Sequence, residues 1–136
     1  ENMLAWQRRY FPEGMPRFAW PGVTAGHQAA VDHRLPVLMQ LRARVRVVSV
    51  EPMTGPVDLS PYLSRDPGIG VKWVIVGAES LAGRPGAEMR EDWVRDLRDQ
   101  CKGRAAFFYK QAAVDGEIVE GPFLDGVQHL AFPDFR

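Results

Sequence analysis

Four short apolar runs alternate with helical patterns along the chain, and their order suggests the fold. The runs cover residues 17–24, 45–50, 72–77 and 105–110. They are rich in valine and aromatic residues, as strands are. The central runs are apolar at consecutive positions, a pattern typical of parallel strands covered on both faces.

Three other stretches carry the spacing of amphipathic helices. They cover residues 3–11, 27–41 and 90–101, and Pro36 is expected to kink or restart the second of them. The predicted inward faces are Met3, Trp6 and Tyr10; Val31, Leu35 and Leu38; and Trp93, Val94, Leu97 and Cys101. Pro- and Gly-rich loops fill residues 52–70, with one helical turn near Tyr62, and residues 81–88.

Strands that alternate with helices predict parallel pairing through right-handed crossovers. Beyond the fourth run, an Asp-Gly turn signal at Asp125-Gly126 predicts a hairpin. The sequence therefore predicts one α/β domain over residues 1–136, with a mostly parallel sheet of about four strands and flanking helices. Residues 113–136 form its C-terminal β-hairpin extension.

Composition narrows the classes of function. Seventeen basic and seventeen acidic side chains give no net charge, so a strongly basic nucleic-acid binder is not indicated. Cys101 is the single cysteine, which excludes an internal disulfide and cannot hold a zinc or iron–sulfur site alone. No apolar run approaches the ~20 residues that span a bilayer, and no secretory signal is visible, so we expect a cytoplasmic protein.

Polar side chains follow each predicted strand at the point where it ends. Parallel strands bring their carboxyl ends to one edge, where α/β proteins bind ligands. We expect a ligand-binding set there, with Arg84 reaching in from a mobile flap as an anion contact. The set is Thr24, Glu51, Glu79, Ser80, Arg84, Lys110 and Gln111. The alternative is that these residues are solvated strand ends, with any Glu–Lys pair worth well under ~1 kcal/mol.

Other candidates are weaker. Arg42, Arg44 and Arg46 alternate along the entry to the second strand and could contact phosphate. The three histidines show no metal-ligand spacing, so no metal site is predicted. Glu51 and Glu79 could form a general acid/base pair, but the sequence assigns no catalytic residue.

Several segments carry a resemblance to a known family. They are WPGVTAGHQAAVDHRLPVLMQL, SVEPMTGPVDL, VIVGAES with the GRP that follows, DWVRDLRDQC, FFYKQ and LDGVQHLAFP. In this order and spacing the chain resembles the C-terminal part of a phage and bacterial family of largely unknown function. Longer members of that family are similar to radical S-adenosylmethionine enzymes.

The resemblance implies a partial (β/α) barrel whose strand ends help to hold an S-adenosylmethionine-like ligand. It places Thr24, Glu51, Glu79, Ser80 and the Lys110–Gln111 pair at family motif positions. Longer members also carry an N-terminal cysteine motif, which this sequence lacks. We therefore expect either a fragment or a naturally short protein, and no radical catalysis by this chain alone; other enzyme activity stays open.

A partial barrel has open sheet edges, so we also expect a homodimer or a missing N-terminal half to cover one. The leading hypothesis is a phage-type domain that binds an adenosyl or nucleotide-like molecule at the strand ends. The alternatives are a non-enzymatic interaction protein with a vestigial pocket, and nucleic-acid binding through the arginine cluster.

Overall fold

The computed structural model describes residues 3–134. Its helices are α1 (Met3–Tyr10), α2 (Gln28–Leu38) and α3 (Glu91–Cys101), with a 3-10 turn at Ser60–Tyr62. Its strands are β1 (Gly22–Thr24), β2 (Val47–Val50), β3 (Trp73–Gly77), β4 (Ser80–Leu81), β5 (Arg84–Pro85), β6 (Ala106–Val114), β7 (Glu117–Glu120), β8 (Phe123–Leu124) and β9 (Val127–Gln128).

The main sheet has five strands in the order β1-β2-β3-β6-β7. The first four are mutually parallel, and β7 returns antiparallel to β6. Strand and helix alternate as the sequence predicted, so the α/β class and the parallel central sheet are confirmed. The turn near Tyr62 and the hairpin at Asp125-Gly126 are also found, the latter between β8 and β9.

Helices α2 and α3 pack on one face of the sheet. Alternate residues of β2, β3 and β6 point into this core and are almost completely buried, among them Val48, Val74 and Phe107. They meet the predicted inward faces of the helices, including Leu35 and Leu97. Burial of each such side chain contributes about 1.5–3 kcal/mol, and this layer therefore fixes the register of the sheet.

The opposite face of the sheet is only half-buried. We call it the open face: Val47, Ser49, Trp73, Ile75, Ala106 and Phe108. Its two aromatic residues contact the loop residues Trp20 and Phe132. The prediction that both faces of the central strands are covered is therefore wrong for this face. Apart from Ser49, its side chains are apolar although water reaches them.

The first strand is shorter than predicted. Arg17 and Phe18 form a turn instead, closed by the bond from the Ala19 N–H to the Pro16 carbonyl. Phe18 lies in the solvent at 88% exposure. Regular pairing begins only at Gly22, because Pro21 has no N–H to donate to a neighbouring strand.

The packed face of α1 also differs from the prediction. Trp6 and Tyr10 are exposed, and the buried residue is Gln7. The Gln7 amide accepts the Arg42 N–H at 2.9 Å and donates to the Arg42 carbonyl at 2.8 Å. These two bonds tie α1 to the segment that leads into β2. The sequence predicted a kink or a restart at Pro36, and the restart is absent, since α2 runs through Pro36 to Leu38.

The chain after β6 closes one edge of the sheet. The second half of β6 pairs with β7 through a turn at Asp115-Gly116, which the sequence reading missed. Along the first half of β6, the backbone N–H of Tyr109 donates to the His129 carbonyl at 2.7 Å, and that of Ala131 donates to the Phe107 carbonyl. Strand β1, with three residues, forms the other edge. In the described part of the chain, no helix is long and apolar enough to cross a membrane.

Candidate functional site

An ion pair lies at the carboxyl end of the open face. The Lys110 ammonium lies 3.0 Å from Glu51 Oε2, and the Ser49 hydroxyl donates to Glu51 Oε1 at 3.1 Å. The Glu51 side chain is only 18% exposed, whereas that of Lys110 is 53% exposed. Two of the residues predicted from strand ends are thus brought together, with Ser49 added by the structure.

The bare backbone of Gly77 makes this pair feasible. Glu51 follows β2 and Lys110 belongs to β6, so the carboxylate must cross the end of β3 between them. A Cβ at Gly77 would stand 2.8 Å from Glu51 Oε2, closer than real contacts allow. A side chain at this position would therefore push the carboxylate away from Lys110.

The segment after Glu51 is fixed on both sides. Met53 donates its N–H to the Gly77 carbonyl at 3.0 Å, and Thr54 donates to the Gly26 carbonyl at 2.9 Å. Gly26 lies so close to this segment that a Cβ there would overlap the Pro52 carbonyl oxygen. The backbone that follows Glu51 is therefore fixed, which is part of the preorganisation that a binding site needs.

Thr24 lies beside this cluster. It is the β1 partner of Ser49 in the parallel register, so both side chains point to the same face of the sheet. Its carbonyl accepts a hydrogen bond from Arg34. Thr24 is exposed, so its hydroxyl can reach a molecule that lies on the open face.

Glu79 and Gln111 hold the fold together rather than facing the Glu51–Lys110 pair. Glu79 Oε2 accepts the Ala87 N–H at 2.6 Å. Gly86 approaches this carboxylate so closely that a Cβ would meet it at 2.2 Å. Gln111 donates its amide to the Ala78 carbonyl at 2.7 Å and accepts the Ala78 N–H through its backbone. Both side chains thus fix the chain just after β3.

Ser80 and Arg84 lie in a small exposed hairpin, β4–β5, where the sequence predicted a Pro- and Gly-rich loop serving as a mobile flap. Its turn at Ala82-Gly83 has positive φ at both residues, the geometry of a tight two-residue β-turn. The Glu79 bond to Ala87 closes the base of this hairpin. Neither Ser80 nor Arg84 contacts the Glu51–Lys110 pair.

The predicted arginine cluster does not form one exposed surface. Arg46 is 9% exposed, and its guanidinium donates to the carbonyls of Leu41, Gly68 and Gly70. Burial lowers the pKa of this guanidinium. Arg46 is therefore a structural residue, and it drops out of the proposed phosphate contacts. Arg42 is exposed, and Arg44 is half-buried.

The chain's own residues do not fit an iron–sulfur cluster. Cys101 is the single cysteine, and it lies on α3 in the core at 1% exposure. Burial raises the pKa of its thiol to about 12, so it is a poor metal ligand. Within residues 3–134, no three metal-ligating side chains converge.

Ser49 was not among the predicted site residues. The close approach of Glu51 to Gly77 and the aromatic floor formed by Trp73 and Phe108 were not predicted either. The alternation of side chains along a strand was a usable signal. Residues two apart on one strand lie on the same face of the sheet, and so do residues paired across parallel strands. Applied to β2, β3 and β6, it places these side chains together with the Glu51–Lys110 pair. The resulting surface is apolar along the strands and charged at their carboxyl ends, which suits a ligand with an apolar body and a polar end.

A family model described as a protein of unknown function (DUF5131) matches residues 1–133. The match covers nearly the whole chain, which therefore belongs to this family. No match was found among curated proteins or among solved structures.

Proposed function

We propose that this member of the DUF5131 family binds a small adenosyl compound, of the S-adenosylmethionine type, at the carboxyl end of the open face. One observation carries the proposal. The Glu51–Lys110 pair is held over bare backbone at Gly77, beside an apolar sheet face that no packed core covers.

The chemistry of the pair suits a zwitterionic ligand. Glu51 accepts from ammonium or hydroxyl groups, and Lys110 donates to a carboxylate. Ser49 and Thr24 add hydroxyls on the same face. An adenine ring would lie on the apolar floor near Ile75, where flat apolar surface favours stacking.

The resemblance to radical S-adenosylmethionine proteins supports the same ligand class and a phage-type origin, and a partial barrel is the matching architecture. In such a barrel the open face would be the interior. No catalytic step is assigned, because the residues of this chain do not fit the cluster that radical chemistry needs. The other predicted ligand contacts contribute to binding only indirectly, by shaping the chain after β3. They are Glu79, Ser80, Arg84 and Gln111.

The test is a thermal-shift titration with S-adenosylmethionine and S-adenosylhomocysteine. Ligand that binds only the folded protein raises the melting temperature by mass action. We expect a rise for the wild type, a loss of that rise in Glu51→Gln and in Lys110→Met, and no loss in Glu13→Gln. Glu13 is an exposed carboxylate in a loop and serves as the matched control. An equal rise in all four proteins would refute this site.

A second candidate function is that of an interaction protein. The observation that favours it is the same half-exposed apolar face, since such patches on monomers mark interaction sites. A second copy of the chain, or an additional N-terminal half, would then cover Val47, Ile75 and Phe108. Sedimentation of the wild type and of Ile75→Glu tests this. A wild-type dimer that Ile75→Glu dissociates would support the second candidate. A monomeric wild type would refute the homodimer.

A further inference from the structure

A cavity lies at the opposite end of the sheet from the Glu51–Lys110 pair. It has a volume of about 540 Å³, within the range of small-molecule sites. Its walls come from the residues just before β2, β3 and β6, together with the C-terminal segment. This is the amino end of the parallel strands, and its lining includes Arg44, one of the phosphate contacts that the sequence suggested.

The lining of this cavity is strongly basic in a chain without net charge. Four of its lining side chains are cationic and one is a carboxylate. The cations are Arg44, Arg65, Lys72 and Arg104; the carboxylate is Asp134. We call this set, with Phe132, the basic cavity. Such a concentration of one sign attracts anions, because a concave low-dielectric wall focuses the field.

Three of these cations have donors to spare. Among the described residues, no hydrogen bond or ion pair engages the guanidinium groups of Arg65 and Arg104. Lys72 donates to the Ser64 carbonyl at 2.6 Å and more weakly to that of Arg104 at 3.4 Å, which leaves one ammonium proton. Burial lowers the pKa of Lys72, and Asp66 partly offsets this effect.

An aromatic ring completes the basic cavity. Phe132 is 63% exposed, yet its ring is held in place by Trp73 at 4.9 Å and Phe108 at 5.5 Å between ring centroids. The Trp73 indole N–H donates to the Ala131 carbonyl at 3.0 Å, which fixes the backbone beside Phe132. A fixed aromatic ring next to cations is the combination that proteins use to stack a base and hold its phosphate.

We propose that the basic cavity binds a nucleotide unit, with its phosphate on Arg65, Lys72 and Arg104 and its base on Phe132. Each guanidinium group can donate two parallel hydrogen bonds to phosphate oxygens, and the lysine adds a point charge. The unit is either a free nucleotide or a nucleotide within a single strand, since both present the same phosphate and base. This site is independent of the proposed function, because S-adenosylmethionine carries no phosphate.

The experiment is equilibrium binding of adenosine 5′-monophosphate and of a ten-residue oligothymidylate to the full chain at moderate salt. We expect at least one probe to bind. Arg65→Ala and Arg104→Ala should each weaken it about tenfold or more, since each removes charged hydrogen bonds. Arg104→Lys should recover part of the loss. Arg17→Ala, an exposed arginine outside the basic cavity, is the matched control for the lost charge and should bind as the wild type does.

The two probes separate the sources of the phosphate. Binding of the mononucleotide with little gain from the oligomer identifies a free nucleotide. Tighter binding of the oligomer, with a steep fall as salt rises, identifies a single strand. Circular dichroism of each variant checks that it is folded. Failure of both probes to bind, or equal binding by the wild type, Arg65→Ala and Arg104→Ala, would overturn the proposal.

Discussion

Replacing Gly77 by alanine adds a methyl group where the Glu51 carboxylate now lies. The new Cβ would stand 2.8 Å from Oε2, 3.1 Å from Cγ and 3.2 Å from Cδ of Glu51. Ordinary contacts between such atoms begin near ~3.5 Å, so the carboxylate must move by about half an ångström or more. We expect that movement to open the 3.0 Å contact between Glu51 and Lys110.

The effect on stability should nevertheless be small. The obstacle is the end of a flexible side chain, and the lost ion pair involves a half-exposed lysine, worth at most about 1 kcal/mol. Alanine also restricts the unfolded chain, which stabilises by about 0.4–1 kcal/mol where the backbone tolerates it. Gly77 is not among the positive-φ glycines, so that condition holds. The free energy of unfolding of Gly77→Ala should lie within about 1 kcal/mol of the wild type.

Gly26→Ala is the contrasting variant. Its Cβ would stand 1.9 Å from the Pro52 carbonyl oxygen, and that oxygen belongs to backbone, which cannot rotate away. We expect this variant to lose at least about 2 kcal/mol, because overpacking against fixed atoms strains the fold.

Urea denaturation of the three proteins, followed by tryptophan fluorescence, measures both differences. Binding of S-adenosylhomocysteine to folded Gly77→Ala then reports on the site: we expect it to be lost. A large loss of stability in Gly77→Ala would show that Gly77 serves the packing of the sheet rather than the position of Glu51. If Gly77→Ala binds S-adenosylhomocysteine as tightly as the wild type does, the proposed role of the Glu51–Lys110 pair in binding is refuted.

Three further predictions concern the fold. Burial raises the pKa of the Cys101 thiol to about 12, so native protein at pH 8 should react with iodoacetamide more than about a thousandfold more slowly than unfolded protein. Arg46→Met removes the donor of three backbone carbonyls and should lower the free energy of unfolding in urea by at least about 2 kcal/mol. Arg98 and then Arg95 lower the pKa of Asp125, so the stability this carboxylate contributes is present above the usual aspartate pKa and is lost as the pH falls through the lowered value. Melting temperatures from pH 7 to pH 3 should therefore fall less steeply in Asp125→Asn than in the wild type, and parallel curves would contradict this.

The α/β class was predictable from the sequence because apolar strands and amphipathic helices alternate with clear periods. The inward residues of α2 and α3 follow from spacing alone. The exposure of the open face does not follow from the sequence, since Val47 and Ile75 are as apolar as their buried neighbours. A sequence shows that one face of a strand is apolar. It does not show whether the fold has a helix or strand that packs on that face.

The candidate site was predictable in part. Parallel pairing brings strand ends to one edge, so Glu51 and Lys110 could be expected near each other. The separation of Glu79 from this pair could not be foreseen, because it depends on the β4–β5 hairpin folding back and offering the Ala87 N–H. The burial of Arg46 could not be foreseen for a similar reason: two of its three carbonyl partners, Gly68 and Gly70, lie in a loop more than twenty positions away along the chain.

The most direct test of the account is an amide chemical-shift titration of the isotope-labelled chain with S-adenosylhomocysteine. The ligand lacks phosphate and so avoids the chemistry of the basic cavity. We predict that the largest shifts cluster at Ser49, Gly77 and Lys110, where the open face meets its charged end. Shifts confined to other surfaces, or no shifts at millimolar ligand, would contradict the claim that this end of the sheet is a binding site.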